Sequence, residues 1–494
     1  MWRIWHRRLG LTACLGALLW AASGMLHPVL VRVQPPAANW QAPPLNWRHA
    51  DAMLSPAALA DRHDMDTASL FRLVALPQGV HFQVRGKPGS SLRYFDVRTG
   101  IELPDGDRVY ARYLARHYAG EPRARINAVE AIERFAGEYD TVNRLLPVYR
   151  VQFERPDGLR VYVDTTTSSL GTLVDDRKAV FDWLFRNLHT WSWLRDLEPL
   201  RLSVALFFIA AALATAVSGL LTFFATHSPR GLALPAWHRW LGLGAAIFLL
   251  AFAASGGLHL VKMSLDDLAA PPRLAPTLSL AGLTLTPDRL MRPGDAAVQS
   301  LSLISVDGRR YYRLETGGHA ARDHDGGHAH HGSADSAGPS VRFLDADNGN
   351  PAVLTETGHA RDIAAALASV PAADIRAASQ VTTFSGEYGF VNKFLPVIRL
   401  DIAGPANEAI YIHAATGTLA ARINNKDRFE GYLFAWLHKW HFMEPLGTGV
   451  RDILMALAAF LIIIVALLGL ALFRRRYRRR MPPGYSPGTS SSRN

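Results

Sequence analysis

Two stretches of this chain, 232 residues apart, say nearly the same thing, and each is apolar for the width of a bilayer. His6-Arg7-Arg8-Leu9-Gly10-Leu11, followed by Ser23-Gly24-Met25-Leu26-His27, returns as His238-Arg239-Trp240-Leu241-Gly242-Leu243, followed by Ser255-Gly256-Gly257-Leu258-His259. About 20 apolar residues in a helix cross a hydrocarbon core, and in lipid an unbroken helix is the simplest way to satisfy every backbone polar group. Both copies are therefore expected to span a membrane. Each places an imidazole near either end, where an ionisable group is costly unless it has a partner. Four such histidines, retained through an internal duplication, are expected to hold something.

Two more apolar runs complete the set, giving expected spans over 9–31, 200–224, 240–262 and 450–473, whose apolar runs Leu9–Val31, Leu202–Phe224, Leu241–Val261 and Ile453–Phe473 hold no Asp, Glu, Lys or Arg. Apolar residues make up 49% of the chain and its mean hydropathy is +0.05, which fits a few spans joined to large water-soluble segments. The first run resembles a signal peptide, with Arg3, Arg7 and Arg8 ahead of it and Ala21-Ala22-Ser23 inside it. Its twin lies mid-chain, so both are read as permanent spans.

Charge sets the orientation. Residues 1–8, 225–239 and 474–494 hold 3, 2 and 7 Lys/Arg and no Asp or Glu, which leaves 41 basic against 42 acidic residues elsewhere. The positive-inside rule puts these segments and both termini in the cytoplasm. The basic balance is thus a topology signal, and no nucleic-acid partner is expected. Residues 32–195 and 263–445 then face outside, the periplasm of a bacterium with this protein in its inner membrane. The one cysteine, Cys14, excludes a disulfide framework, a Cys-x-x-Cys pair and covalent haem attachment.

The duplication extends beyond the spans. Gly137-Glu138-Tyr139, Asn143-Arg144, Leu146-Pro147 and Leu188-His189 recur 249 residues later as Gly386-Glu387-Tyr388, Asn392-Lys393, Leu395-Pro396 and Leu437-His438. Phe82–Arg85 aligns with Tyr312–Glu315 at an offset of 230, so the second half carries an insertion, the His-rich stretch 319–339. Alternating apolar residues over Tyr149–Phe153 and Val161–Val163 predict strands; Tyr110–Tyr118 and His359–Val370 predict amphipathic helices. Glu198-Pro199 and Glu444-Pro445 are expected to open the second and fourth spans, since proline is tolerated in a first helical turn. The fold class expected is a membrane α + β protein with four transmembrane helices in two internal repeats, each repeat carrying an external α+β domain. The segment after Met481 is expected to be disordered.

These features resemble the PepSY-associated transmembrane family, the iron-regulated membrane proteins that include siderophore reductases. The resemblance covers residues ~1–475 and rests on the paired His-Arg-x-Leu-Gly-Leu starts, Ser-Gly-x-x-His ends, Gly-Glu-Tyr modules and Leu-His segments. It implies PepSY-like external domains and, as in the family's reductases, b-type haems that pass electrons outward to a ferric siderophore. The His-rich insertion departs from that pattern.

Six paired histidines are the candidate cofactor ligands: His6, His27, His189, His238, His259 and His438. They would supply bis-histidine sites for two or more haem b groups at both membrane faces, with the pairing open. Gly10, Gly24, Gly242 and Gly256 would let a porphyrin approach the backbone, and Arg144 and Lys393 would meet propionates or an anionic chelate. His6 and His27 lie about 31 Å apart along a helix, so an intermediate relay or tilted haems are expected. In the insertion, His319, His324, His328, His330 and His331, with Asp323 and Asp325, suit a loosely held divalent metal. Besides membrane lipid, the expected partners are a ferric siderophore or metal complex and a separate electron donor, either a cytoplasmic reductase or quinol. The cytoplasmic segments are too short for a flavin or nicotinamide domain. Two other readings are a non-enzymatic protein whose PepSY modules bind a periplasmic protease or metal ion, and a metal-uptake accessory built on the His-rich loop.

Overall fold

A computed structural model describes residues 2–45, 52–226, 234–266, 269–290, 298–316 and 340–478. They form two compact units, one drawn from 1–33, 180–267 and 428–494 and the other from 34–179 and 268–427.

The first unit contains four helical segments long and apolar enough to cross a membrane: Trp2–Val33, Ser192–Phe224, Leu234–Leu265 and Thr448–Arg478. The first membrane helix packs along the second and fourth, and the third packs along the same two. Small residues line the contacts, among them Ala13, Gly16 and Ala17 on the first helix, Ala211 and Ala212 on the second, and Ala245 on the third. Such residues let backbones approach where lipid removes any hydrophobic drive between helices. A Cβ on Gly16 would already lie 3.1 Å from Phe208.

Two expectations about the helices change. The span over 9–31 is divided into Trp2–Gly24 and Leu26–Val33. Pro28 has no N–H to give the Gly24 carbonyl four residues back, whereas its counterpart Leu260 lies in an unbroken helix, Leu234–Leu265. Pro199 stands in the first turn of Glu198–Phe224 as expected. Pro445 instead lies in a 3₁₀ turn, His441–Leu446, and Gly447 at φ 90° redirects the chain before the fourth helix starts at Thr448.

The second unit is built on antiparallel sheets. A four-stranded sheet of 126–132, 148–153, 160–164 and 169–174 carries the helix Gly106–Ala119, and another of 375–381, 397–402, 409–413 and 418–423 carries Glu356–Ala368. The Gly-Glu-Tyr motifs are structural. Gly137 and Gly386, at φ 58° and 55°, make the turn that glycine favours. Tyr162 and Tyr411 donate to Glu138 and Glu387 at 2.6 Å, while Tyr139 and Tyr388 donate to the Leu145 and Phe394 carbonyls. Tyr139 stacks on Tyr162 and Tyr388 on Tyr411, and the two pairs share one buried cluster.

The sequence treats 32–195 and 263–445 as separate modules. In the structure their strands meet in one six-stranded sheet, ordered 340–345, 309–316, 298–306, 70–76, 79–85, 93–96, with Ser302 opposite Arg72 at the join. Residues 180–195 and 428–445 belong with the membrane helices.

Candidate functional site

The membrane unit gathers the six paired histidines at its two ends. At the end carrying the N-terminus, the rings of His6 and His238 have centres 6.2 Å apart. His6 Nδ1 lies 3.0 Å from the Thr215 carbonyl oxygen, which only accepts, so Nδ1 carries the hydrogen. His238 Nδ1 is buried near the Val465 carbonyl, outside hydrogen-bonding geometry.

At the opposite end, His189 and His438 stand with ring centres 6.4 Å apart and planes at 78°. They come from outside the spans, where Asp176–Leu188 and Phe434–His438 lead toward the second and fourth membrane helices. Trp191 and Trp440 turn the chain just after them, both at φ 52°. Trp191 stacks on Trp20 at 5.2 Å and Trp440 on Phe252 at 5.8 Å, which fixes each turn against the bundle. His189 Nδ1 lies 3.0 Å from Ser23 Oγ, and His438 Nδ1 lies 3.2 Å from Ser255 Oγ. Burial pulls the His189 imidazole down to about 4 and that of His438 down to about 3, and neighbouring imidazoles add to the effect. Both rings are therefore neutral at pH 7, as a metal ligand must be.

His27 and His259 flank this pair. His27 meets Phe185 at 6.0 Å, and Phe185 stacks on His189 at 4.7 Å. On the other side His259 stacks on Phe434 at 4.0 Å, and Phe434 on His438 at 4.7 Å. Six aromatic rings thus run in series across this end of the bundle. The flanks differ chemically, since His259 Nδ1 donates to Glu430 at 2.8 Å while the position matching Glu430 is Phe181. The second half also has a π-helical turn, Phe434–His438, closed by the Lys439 N–H on the Phe434 carbonyl.

Glycines make room for imidazoles. An added Cβ would lie 3.8 Å from His189 Cε1 at Gly24, 3.2 Å from His438 Cε1 at Gly256, 3.0 Å from His6 Cε1 at Gly219 and 3.3 Å from His238 Cε1 at Gly469. Gly10 and Gly242 face Thr215 and Val465 instead, so they serve helix packing. Arg144 and Lys393 also lie elsewhere than expected. They belong to the sheet unit, where Arg144 reaches the Ala420 carbonyl at 3.4 Å and Lys393 the Gly171 carbonyl at 3.1 Å. Each ties its own module to the other.

Sequence reasoning missed Phe185, Phe434, Glu430, Thr215, Gly219 and Gly469. The two phenylalanines had a signal, each four residues before a paired histidine at the shared offset of 249. Gly219 and Gly469 are offset by 250 while Glu198 and Glu444 are offset by 246, so no single register exposes them. His319, His324, His328, His330 and His331 lie outside the described residues. Among the described residues, no three or more His, Cys, Asp or Glu are grouped to hold a metal ion.

No curated protein matches this chain. A family model described as the PepSY-associated TM region matches residues 236–494, just over half of the sequence. With its four membrane-length helices, the chain is a multi-pass membrane protein and belongs to the PepSY-associated transmembrane family.

Proposed function

We propose that this is an inner-membrane haem b protein that moves single electrons across the bilayer to reduce a periplasmic ferric siderophore or related metal complex. The apposition of His6 with His238 and of His189 with His438, at 6.2 and 6.4 Å, carries this reading. An imidazole nitrogen binds a transition metal at about 2.0–2.1 Å, so each pair stands close enough for its two rings to hold one metal ion between them. The donor set fits too. His6 gives its Nδ1–H to a carbonyl and keeps a lone pair on Nε2, and His189 and His438 are neutral. His27 and His259 complete the set on the flanks of the outer pair.

His6 with His238 and His189 with His438 would hold haem, which would supply one-electron redox chemistry at each end of the membrane unit. The protein's own part is positional. Paired imidazoles fix the ligand axes, glycines beside each ring leave space for it, and the apolar helices keep water out between the ends. We further propose that the halves arose by duplication, that both termini are cytoplasmic, and that electrons arrive from a separate reductase or from quinol. Reduction of Fe(III) to Fe(II) in the external chelate weakens its hard-oxygen coordination and frees the metal.

A pyridine haemochrome assay on protein expressed with ample haem tests the proposal. Two haems per chain are expected, and His6→Ala, His238→Ala, His189→Ala and His438→Ala should each lose one. A colourless wild-type protein rejects the reading and leaves the external modules to be explained as a non-enzymatic binding device.

A further inference from the structure

The Ser-Gly dipeptide occurs in both the first and third membrane helices, and haem ligation by the histidines alone gives its serines no role. Ser23 and Ser255 are 1% and 2% exposed. Ser23 Oγ lies 2.6 Å from the Leu19 carbonyl oxygen and 3.0 Å from His189 Nδ1. Ser255 Oγ lies 2.6 Å from the Ala251 carbonyl oxygen and 3.2 Å from His438 Nδ1. The next carbonyls, of Trp20 and Phe252, stand further off at 3.3 and 3.4 Å.

A hydroxyl has one proton and two lone pairs, and a carbonyl oxygen only accepts. The short contact four residues back therefore takes each serine's proton. What the serine oxygen offers the imidazole is a lone pair, so the histidine Nδ1 must supply the hydrogen. In a neutral ring the remaining lone pair then sits on Nε2.

We infer that Ser23 and Ser255 are positioning residues that lock His189 and His438 as Nδ1–H tautomers, each presenting Nε2 as the ligating nitrogen. On the His438 side the adjoining glycine takes part as well: a Cβ at Gly256 would stand 3.2 Å from His438 Cε1, a tight approach, whereas at Gly24 the distance to His189 Cε1 is 3.8 Å, ordinary contact. The Ser-Gly pair thus orients a histidine delivered from another part of the chain, whereas the sequence pattern draws attention to the histidine four residues after the serine. The ligating role rests on the haem reading, but the hydrogen-bond assignment does not.

Solid-state ¹⁵N NMR of histidine-labelled apoprotein in lipid reads the tautomers directly, with His189→Gln and His438→Gln spectra assigning the two rings. Both are expected as Nδ1–H in the wild type. Ser23→Ala should release His189 and Ser255→Ala should release His438 to populations rich in Nε2–H, while Ser23→Thr and Ser255→Thr keep Nδ1–H. In haem-loaded protein, the alanine variants should retain haem roughly 10- to 100-fold less tightly and shift the midpoint potential, with threonine restoring both. An Nε2–H ring in the wild type overturns the inference without requiring any variant to fold. So do alanine variants with unchanged tautomer, retention and potential. Apoprotein with both rings as Nδ1–H that takes up no haem upholds the serine locks and rejects the haem reading instead.

Discussion

At the scale of single residues, the structure separates charges that serve the membrane unit from charges that hold the sheets together. Lys393 is the sharpest case. Its buried ammonium donates to the Gly171 carbonyl, and burial, reinforced by Lys178, pushes it down to about 8. Below pH 8 the folded and unfolded chains both carry the proton, and the cost of burying it is fully present. Between pH 8 and about 10.4 the unfolded chain keeps a proton that the folded chain has released, so stability rises with pH. Lys393→Met should raise stability at pH 7 by roughly 1–2 kcal/mol, after allowing for the lost hydrogen bond, and should flatten the rise above pH 8. Thermal unfolding of the detergent-solubilised protein across pH 7–10 measures both; a variant less stable at pH 7 would contradict the assignment.

At the scale of elements, helix approach and histidine placement are the same problem. The glycines beside the paired rings stand at different clearances, which makes their substitutions separable. A Cβ at Gly256 would lie 3.2 Å from His438, a separation that forces the ring or the helix to move, whereas at Gly24 the clearance to His189 is 3.8 Å, ordinary contact. On the proposed haem reading, Gly256→Ala should therefore lower haem content by up to half, while Gly24→Ala leaves it near that of the wild type. Equal losses from the two would argue against such close packing of His438 on the third membrane helix. Much at this scale was legible in sequence. The four spans follow from apolar length, and the Pro199 start follows from proline chemistry. The break after Gly24 has its own signal in Pro28, which apolar length alone does not register. The site was less legible, because the acceptor for His189 lies 166 residues away on another helix, and no local pattern records such a contact.

At the scale of the molecule, the two halves of the sequence do not make two free-standing sheet domains. The six-stranded sheet draws three strands from residues 70–96 and three from 298–345, joined at Ser302 and Arg72. Tyr139 and Tyr162 share a core with Tyr388 and Tyr411, and Arg144 and Lys393 each hydrogen-bond the opposite module. Cutting the chain in its 227–233 segment should therefore give fragments that accumulate and co-purify only when expressed together. Either fragment alone should be degraded, since its half of the sheet would leave an unpaired edge and an uncovered apolar face. A first half that is stable and protease-resistant by itself would show that the shared sheet is dispensable.

The sequence alone determined what depends on composition and short-range order: membrane spans from apolar length, the proposed orientation from the placement of arginines, and histidines worth attention because the same short patterns recur around them. Only the tertiary structure decided which histidines meet. Proximity between helices depends on packing angles and small-residue contacts that leave no fixed spacing in the chain. The same holds for Ser23 and Ser255, whose proton is committed within their own helix and whose lone pair is used by a ring from another. A hydrogen bond of that kind has a direction as well as a distance, and direction exists only once the chain has folded.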